Sequence, residues 1–100
     1  MCKLEGRTDN MSRDSHIIHF DRFNVERSVY PPGLYMAPHR DKLSRISIIL
    51  EGELWESTEQ GEVNANRNSV VIKPNYVVHE NRFGASPCTY FPSVLMTMSY

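Results

Sequence analysis

The sequence has almost no net charge and no long apolar run. Its 100 residues include 11 Lys and Arg against 12 Asp and Glu, a formal net charge of −1. Nucleic-acid-binding domains normally carry a basic excess, so we expect no direct nucleic-acid binding. A helix that spans a bilayer needs about 20 consecutive apolar residues, and the longest apolar run falls far short of that. We therefore expect no membrane insertion.

Cysteine is also scarce, with only Cys2 and Cys88. Their positions fit no zinc-binding motif, and they do not suggest a disulfide framework. The N-terminal stretch MCKLEGRTDNMSRDS mixes charges and lacks an apolar segment, so it is not typical of a signal peptide. These features predict a cytoplasmic protein with reduced thiols.

Helical periodicity is missing as well. Short apolar or alternating runs, separated by turn residues, follow one another from residue 15 onwards. This pattern is typical of an all-β sandwich or small barrel. The longest run covers 43–57, and Pro92 interrupts the last, which suits an edge strand or a bulge. Residues 1–14 are polar and aperiodic, so we predict a disordered N-terminal tail followed by one domain over 15–100.

The stretch LSRISIILEGEL has two different rows of side chains, because residues alternate between the faces of a strand. Arg45, Ser47 and Ile49 form a mixed row that suits the partly polar interior of a barrel with a binding pocket. The other row, Ile46, Ile48 and Leu50, is fully apolar. It requires burial in a core or against another subunit, and a homodimer through strand faces or edges is therefore expected.

Two segments, PPGLYMAPHRDKLSRISIILEGEL and SVVIKPNYVVHENRFG, resemble the two motifs of the cupin superfamily. The resemblance implies an all-β, single-domain double-stranded β-helix, or jelly-roll barrel. The positions that match the two motifs are Gly33, His39, Asp41, Arg45, Gly52, Asn68, Pro74, Tyr76 and His79. The segments SRISIILEGELWES and IKPNYVVHENRFG also resemble the N-terminal sensor domain of AraC-type transcription regulators. That likeness implies ligand sensing or dimerisation, without the DNA-binding module of those regulators.

The resemblance places His39 and His79 where cupins have two of their metal-binding histidines. Asp41 stands in place of a third histidine, and Arg45 in place of a glutamate. An arginine has no acceptor and cannot bind a metal. Its charge, about 4 Å from a unit positive charge, would cost about 4 kcal/mol at an effective dielectric constant of about 20.

Three interpretations of these side chains stay open. In the first, His39, Asp41 and His79 form a two-histidine, one-carboxylate metal site of the iron(II) type. In the second, Arg45 pairs with Asp41 and replaces the metal as the link between strands. In the third, Arg45 clamps a carboxylate or phosphate of a small ligand. The predicted ligand-binding residues are His39, Asp41, Arg45, Ser47, Tyr76 and His79.

Because the metal set is incomplete, our leading prediction is a non-enzymatic sensing or dimerisation domain that binds a small molecule without a cofactor. The alternative is a metal-dependent cupin enzyme, such as a dioxygenase or isomerase, that uses His39, Asp41 and His79. A set of glutamates near the predicted hairpin is expected to form a solvated surface instead of a catalytic site, namely Glu51, Glu53 and Glu56.

Overall fold

A computed structural model describes residues 3–8 and 14–97 of the chain. These residues form ten β-strands: β1 (Lys3–Thr8), β2 (Asp14–His19), β3 (Phe23–Tyr30), β4 (Tyr35–His39), β5 (Ser44–Glu51), β6 (Leu54–Thr58), β7 (Gly61–Ala65), β8 (Val70–Lys73), β9 (His79–Phe83) and β10 (Cys88–Met96). The predicted all-β class is therefore confirmed. Among the described residues there is no helix that could cross a membrane.

The strands form two antiparallel sheets. The larger sheet has the order β1-β2-β3-β10-β5-β8, and the smaller has the order β4-β9-β6-β7. Buried apolar side chains from both sheets pack together between them: Tyr30, Ile49, Leu54, Ala65, Val71, Phe83, Cys88 and Tyr90. The core therefore lies between two facing layers, as in a jelly roll.

Five of the described residues have positive φ, and four of them lie on the positions that match the cupin motifs; the fifth is Gly61, the first residue of β7. Two of these four are glycines, Gly33 with φ 71° and Gly52 with φ 87°. The other two, Asn68 with φ 72° and Tyr76 with φ 63°, hold left-handed angles without glycine's freedom. Gly52 divides the predicted 43–57 strand into β5 and β6. A side chain there would lie 2.5 Å from the Pro87 carbonyl oxygen.

The two ends of the domain differ in part from the prediction. Pro92 is in β10, a central strand, so the edge alternative is wrong; the bulge is present, as a register shift between Tyr90 and Ser93. Within the predicted tail, Lys3–Thr8 form β1 and pair with β2, which begins at Asp14. The rest of that tail, residues 1–2 and 9–13, lies outside the described residues.

The two faces of β5 carry the two predicted rows. Ser47 and Ile49 are completely buried between the sheets, and Arg45 points the same way. On the other face, Ile46, Ile48 and Leu50 are 37–43% exposed. The mixed row is thus the barrel interior, as predicted, and the apolar row is not part of the core.

Candidate functional site

A cavity of about 520 Å³ opens at one end of the barrel. Four of the predicted site residues line it, His39, Asp41, Arg45 and His79. Lys73 joins them, and the remaining walls are mainly apolar or aromatic: Tyr30, Leu34, Tyr35, Met36, Ala37 and Pro38. A concave, mostly apolar pocket with a few converging polar groups is the usual form of a small-molecule site.

The two histidines come from neighbouring strands of the smaller sheet. His39 on β4 lies opposite His79 on β9, and their ring centroids are 4.1 Å apart. His39 Nδ1 is 2.7 Å from the carbonyl oxygen of Ala37, which can only accept. His39 therefore donates from Nδ1, and Nε2 is the acceptor nitrogen of the neutral ring.

His79 is held by a chain of buried polar groups. The Asn81 Nδ2 amide donates to Glu56 Oε1 at 2.9 Å, so its Oδ1 atom faces His79 Nδ1, also at 2.9 Å. Because that oxygen can only accept, His79 donates from Nδ1 as well. Glu56 is paired in turn with Lys73, with 3.3 Å between Oε1 and Nζ. The predicted solvated role of Glu56 is wrong, because it is only 9% exposed and faces the interior.

Asp41 reaches the histidines because two loops are tied together. The Tyr76 backbone N–H donates to the Asp41 carbonyl oxygen at 2.8 Å, and the Asn75 N–H donates to Ser44 Oγ at 3.0 Å. These bonds hold the loop between β8 and β9 against the loop between β4 and β5. As a result Asp41 Oδ2 lies 3.1 Å from His79 Nε2.

The contact between His79 and Asp41 places two acceptor atoms together when the ring is neutral. His79 Nδ1 already donates to Asn81, so in the neutral ring Nε2 is an acceptor that faces a carboxylate oxygen. A cation bound by both atoms would relieve the conflict. The hydrogen bond with His79 is the main cause that lowers the pKa of Asp41 from 3.8 to about 2. The charges of His79, His39 and Arg45 act in the same direction, and burial opposes them.

These three side chains also form a plausible donor set for a metal. One ligand atom each from His39, Asp41 and His79 lies within 4.8 Å of the others. Two imidazoles and one carboxylate are typical donors for iron(II) and other divalent transition metals. Histidines that bind metals usually donate the other ring N–H to a carbonyl or carboxylate oxygen, and both rings have such a partner here.

Arg45 pairs with a residue that the sequence analysis did not consider. Its Nη1 lies 3.2 Å from Oε1 of Glu26, a β3 side chain that is 1% exposed. The predicted Arg45–Asp41 salt bridge is therefore replaced by an Arg45–Glu26 pair. The two strands are separated by β10, where Ser93 lies between Ser47 and Glu26 in register. Small serines there leave room for the long side chains to meet.

Glu26 has further partners that complete its hydrogen bonding. Ser15 Oγ donates to Oε2 at 2.9 Å, and Ser28 Oγ donates to Oε1 at 2.6 Å. A buried carboxylate is stable only when paired and hydrogen-bonded, and Glu26 meets both conditions.

Two predicted site residues are not part of the cavity wall. Ser47 is fully buried, and its Oγ forms a 2.7 Å hydrogen bond with Ser93 Oγ. The Tyr76 side chain is 58% exposed, and its backbone N–H is the part that positions Asp41. Ser47 supports the site through a hydrogen bond within the larger sheet, and Tyr76 supports it through the turn that its backbone forms.

The sequence analysis missed four polar residues that support the site: Glu26, Glu56, Lys73 and Asn81. Glu56 and Asn81 could have been found from the alternation of side chains between the two faces of a strand. Glu56 lies two residues after buried Leu54 on the same face of β6, and Asn81 lies between buried His79 and Phe83 on the same face of β9. A charged or amide side chain on the core-facing row of a strand is a candidate for an internal network.

No known protein family matches the sequence, and no curated protein is similar to it. The architecture, in contrast, matches solved structures. A cupin superfamily protein from Desulfitobacterium hafniense has a TM-score of 0.72 and 15% identity, over 94% of this chain and 84% of that one. An RmlC-like cupin from Shewanella frigidimarina has a TM-score of 0.75 and 11% identity, over 96% and 86% of the two chains.

A structure of the DMSP lyases RdDddP and RnDddQII is also similar, with a TM-score of 0.76 and 11% identity. The match covers 96% of this chain and 57% of that one. These likenesses do not show the closer resemblance to AraC-type sensor domains. At such low identity they establish the architecture alone, and the predicted fold is confirmed: the described residues form an all-β, two-sheet barrel with the cupin fold.

Proposed function

We propose that this chain is a metal-dependent cupin enzyme in which His39, Asp41 and His79 hold one divalent cation. The observation that carries the proposal is the orientation of the two histidines. Both rings donate from Nδ1 to a fixed oxygen, which leaves both Nε2 atoms as acceptors, and one ligand atom of each ring lies within 4.8 Å of an Asp41 carboxylate oxygen. This is the arrangement in which neighbouring groups orient metal ligands.

The local charge balance supports a cation despite the presence of Arg45. Arg45 is paired with Glu26, and Lys73 with Glu56, so each positive charge has its own carboxylate. The remaining formal charge, with neutral histidines, is that of Asp41. A divalent ion would therefore meet a site with a net negative charge, and the repulsion expected from Arg45 is largely offset.

Three protein ligands leave coordination positions open toward the cavity, which is typical of catalytic metal sites and not of structural ones. A bound divalent metal would supply Lewis acidity to a substrate oxygen. The chain's own residues would bind and orient the substrate. The apolar walls at Leu34 and Met36 exclude water, and the Glu56–Asn81 pair keeps the His79 ring in place.

Titration calorimetry with Mn²⁺ on untagged, metal-stripped protein tests this proposal. We expect one ion per chain, and a loss of at least 100-fold in affinity for Asp41→Asn and for His79→Gln. Glu51→Gln, which removes an exposed carboxylate on β5, is the matched control and is expected to bind like the parent. Equal binding by the control and the site variants would contradict the proposal.

A second candidate function, ligand sensing coupled to dimerisation, is favoured by the outer face of the larger sheet. Residues in register across five strands form one apolar row there: Ile18, Val25, Val94, Ile46 and Ile72. Val70, Ile48 and Leu50 extend this outer apolar face, and they are 60%, 37% and 40% exposed. Contiguous apolar patches of this kind mark interaction surfaces.

We infer that a second copy of the chain covers the outer apolar face. The eight named residues are all apolar, so a twofold contact through them would bury apolar surface on both copies. A homodimer would fit the sensing role predicted from the sequence. Light scattering over a range of concentrations is expected to give the mass of a dimer. A monomeric mass at every concentration up to the millimolar range would contradict this inference.

A further inference from the structure

We propose that the cavity wall opposite the histidines binds a carboxylate group, so that the ligand is a small carboxylic acid whose other end reaches His39, Asp41 and His79. This inference rests on the proposed function, because it assigns the metal-binding end of the ligand to that site. Arg45, Lys73 and Tyr90 carry it.

The cavity lies between two pairs of facing residues. On the smaller sheet His39 is opposite His79, and on the larger sheet Arg45 is opposite Lys73. All four residues line the cavity. A ligand in this space would therefore have histidines and Asp41 on one side and two cations on the other.

Both cations keep donors for a ligand after pairing inside the protein. The guanidinium of Arg45 has five N–H donors, and its Nη1 atom is the one placed near Glu26. The Lys73 ammonium has three donors, and one partner is Glu56 at 3.3 Å. Because the two carboxylates hold the cations in place, these donors are oriented before a ligand binds, which favours binding.

A buried hydroxyl beside these cations has no partner. Tyr90 is fully buried, and its hydroxyl forms no hydrogen bond within the part of the chain that the structure describes. Buried hydroxyls are normally hydrogen-bonded. Burial raises the pKa of Tyr90 well above 10, so the group stays a donor at neutral pH.

Tyr90 lies directly behind the cationic side of the cavity. Lys73 Nζ is 5.7 Å from the centroid of its ring, and the ring of Tyr30, which lines the cavity, is 5.0 Å away. Tyr90 itself does not line the cavity, so its hydroxyl lies in the layer beneath Lys73 and Tyr30. A carboxylate has two acceptor oxygens, and one bound between Arg45 and Lys73 could also supply the acceptor that this hydroxyl lacks.

The size and walls of the cavity limit the ligand further. About 520 Å³ accommodates a small organic acid, and Leu34, Met36 and Tyr30 provide contacts for a short carbon skeleton. The class that fits is an acid with one carboxylate for the cationic side and a second oxygen-bearing group for the metal side. Straight-chain dicarboxylates are the simplest members of this class.

Calorimetry with the dicarboxylates from malonate to adipate, each compared with its own monoamide, tests the inference on Mn²⁺-loaded protein. We expect at least one diacid to bind ten-fold or more tightly than its monoamide. Tyr90→Phe is expected to weaken that diacid at least five-fold while Mn²⁺ affinity and melting temperature stay unchanged. Tyr76→Phe, which alters an exposed phenol outside the cavity, is the matched control and should bind like the parent.

The outcomes separate this inference from the proposed function. If Mn²⁺ binds but no diacid is preferred over its monoamide, or if Tyr90→Phe binds the diacid like the parent, the inference is overturned and the metal site stands. If Mn²⁺ does not bind and metal-free protein still prefers a diacid in a Tyr90-dependent way, the carboxylate site stands and the metal function is overturned.

Discussion

The two faces of the six-stranded sheet both depart from the usual distribution of polar and apolar residues. Its inner face carries Glu26, Arg45 and several serines, while its outer face carries isoleucines and valines at up to 65% exposure. Most antiparallel sheets place apolar residues inside and polar residues outside. The buried charges border the cavity, and the exposed apolar residues form the face for which we propose a partner.

The inner face tolerates its charges because each one is paired and hydrogen-bonded. Replacing such pairs by apolar residues is often neutral for stability, so stability alone does not account for them. Their placement around the cavity does, since Arg45 and Lys73 both line it. The residues named on the outer apolar face are uncharged, and we propose that its exposed isoleucines contact a second copy.

The largest expected effect comes from breaking the inner pair. Glu26→Leu leaves Arg45 without its carboxylate, and we expect a loss of about 3–5 kcal/mol in the free energy of unfolding, measured by urea denaturation. The double variant Glu26→Leu/Arg45→Met removes both charges and should recover most of that loss. A loss below about 1 kcal/mol for the single variant would show that the pair is not essential.

The next effect concerns the outer face. Ile46→Lys combined with Ile72→Lys places four charges in a dimer interface, so we expect the dimer dissociation constant to rise at least about 100-fold, equivalent to about 3 kcal/mol. Sedimentation measures the change. Val63→Lys, an exposed residue on β7 of the other sheet, is the control and should leave the dimer intact. A dimer that persists in the double variant would place the interface elsewhere.

A change behind the histidines refines the role of the inner network. Asn81→Leu removes the acceptor that fixes His79, and we expect Mn²⁺ affinity to fall about 10–100-fold, as for other groups that orient metal ligands. Asn64→Leu, on the exposed side of β7, serves as the control. An unchanged affinity in a folded Asn81→Leu protein would mean that this chain of hydrogen bonds does not orient the metal ligand.

The Asp41 carboxylate gives a smaller, pH-dependent effect in metal-free protein. Its folded pKa of about 2 lies below the ordinary value of 3.8, so its contribution to stability is complete above pH 4 and disappears as the pH falls toward 2. Because Asp41 is about half exposed, we expect at most about 1 kcal/mol. The difference between parent and Asp41→Asn, followed from pH 6 to pH 2, should shrink in that interval. A constant difference would exclude this linkage.

The smallest effect should be a gain. Tyr76 has φ 63°, and glycine adopts this angle without steric cost. Tyr76→Gly is therefore expected to stabilise the protein by about 0.5 kcal/mol, or about 2–4 °C in melting temperature. A lower melting temperature would mean that packing of the half-exposed Tyr76 ring stabilises the protein by more than the positive φ angle of this residue destabilises it.

The sequence predicted the fold because the fold depends on local patterns, and four of the predicted site residues line one cavity. The positive φ angles of Asn68 and Tyr76, two positions that match the cupin motifs, fit turns at these places. Likewise, alternation along β5 correctly placed Ser47 and Ile49 inside.

The partner of Arg45 could not be predicted in the same way. Glu26 is far from Arg45 in sequence, and the two strands meet only across β10, so the pairing depends on strand order. The same holds for the contact of Glu56 with Asn81, which requires β6 to lie beside β9. Alternation places a residue inside a barrel, but the topology decides which residues meet there.

Anomalous diffraction from crystals grown with Mn²⁺ would test the metal site most directly. The proposal predicts one peak per chain, within coordination distance of a ring nitrogen of His39, a ring nitrogen of His79 and an Asp41 carboxylate oxygen. A cavity without such a peak, with His79 still hydrogen-bonded to Asp41, would contradict the metal-dependent function.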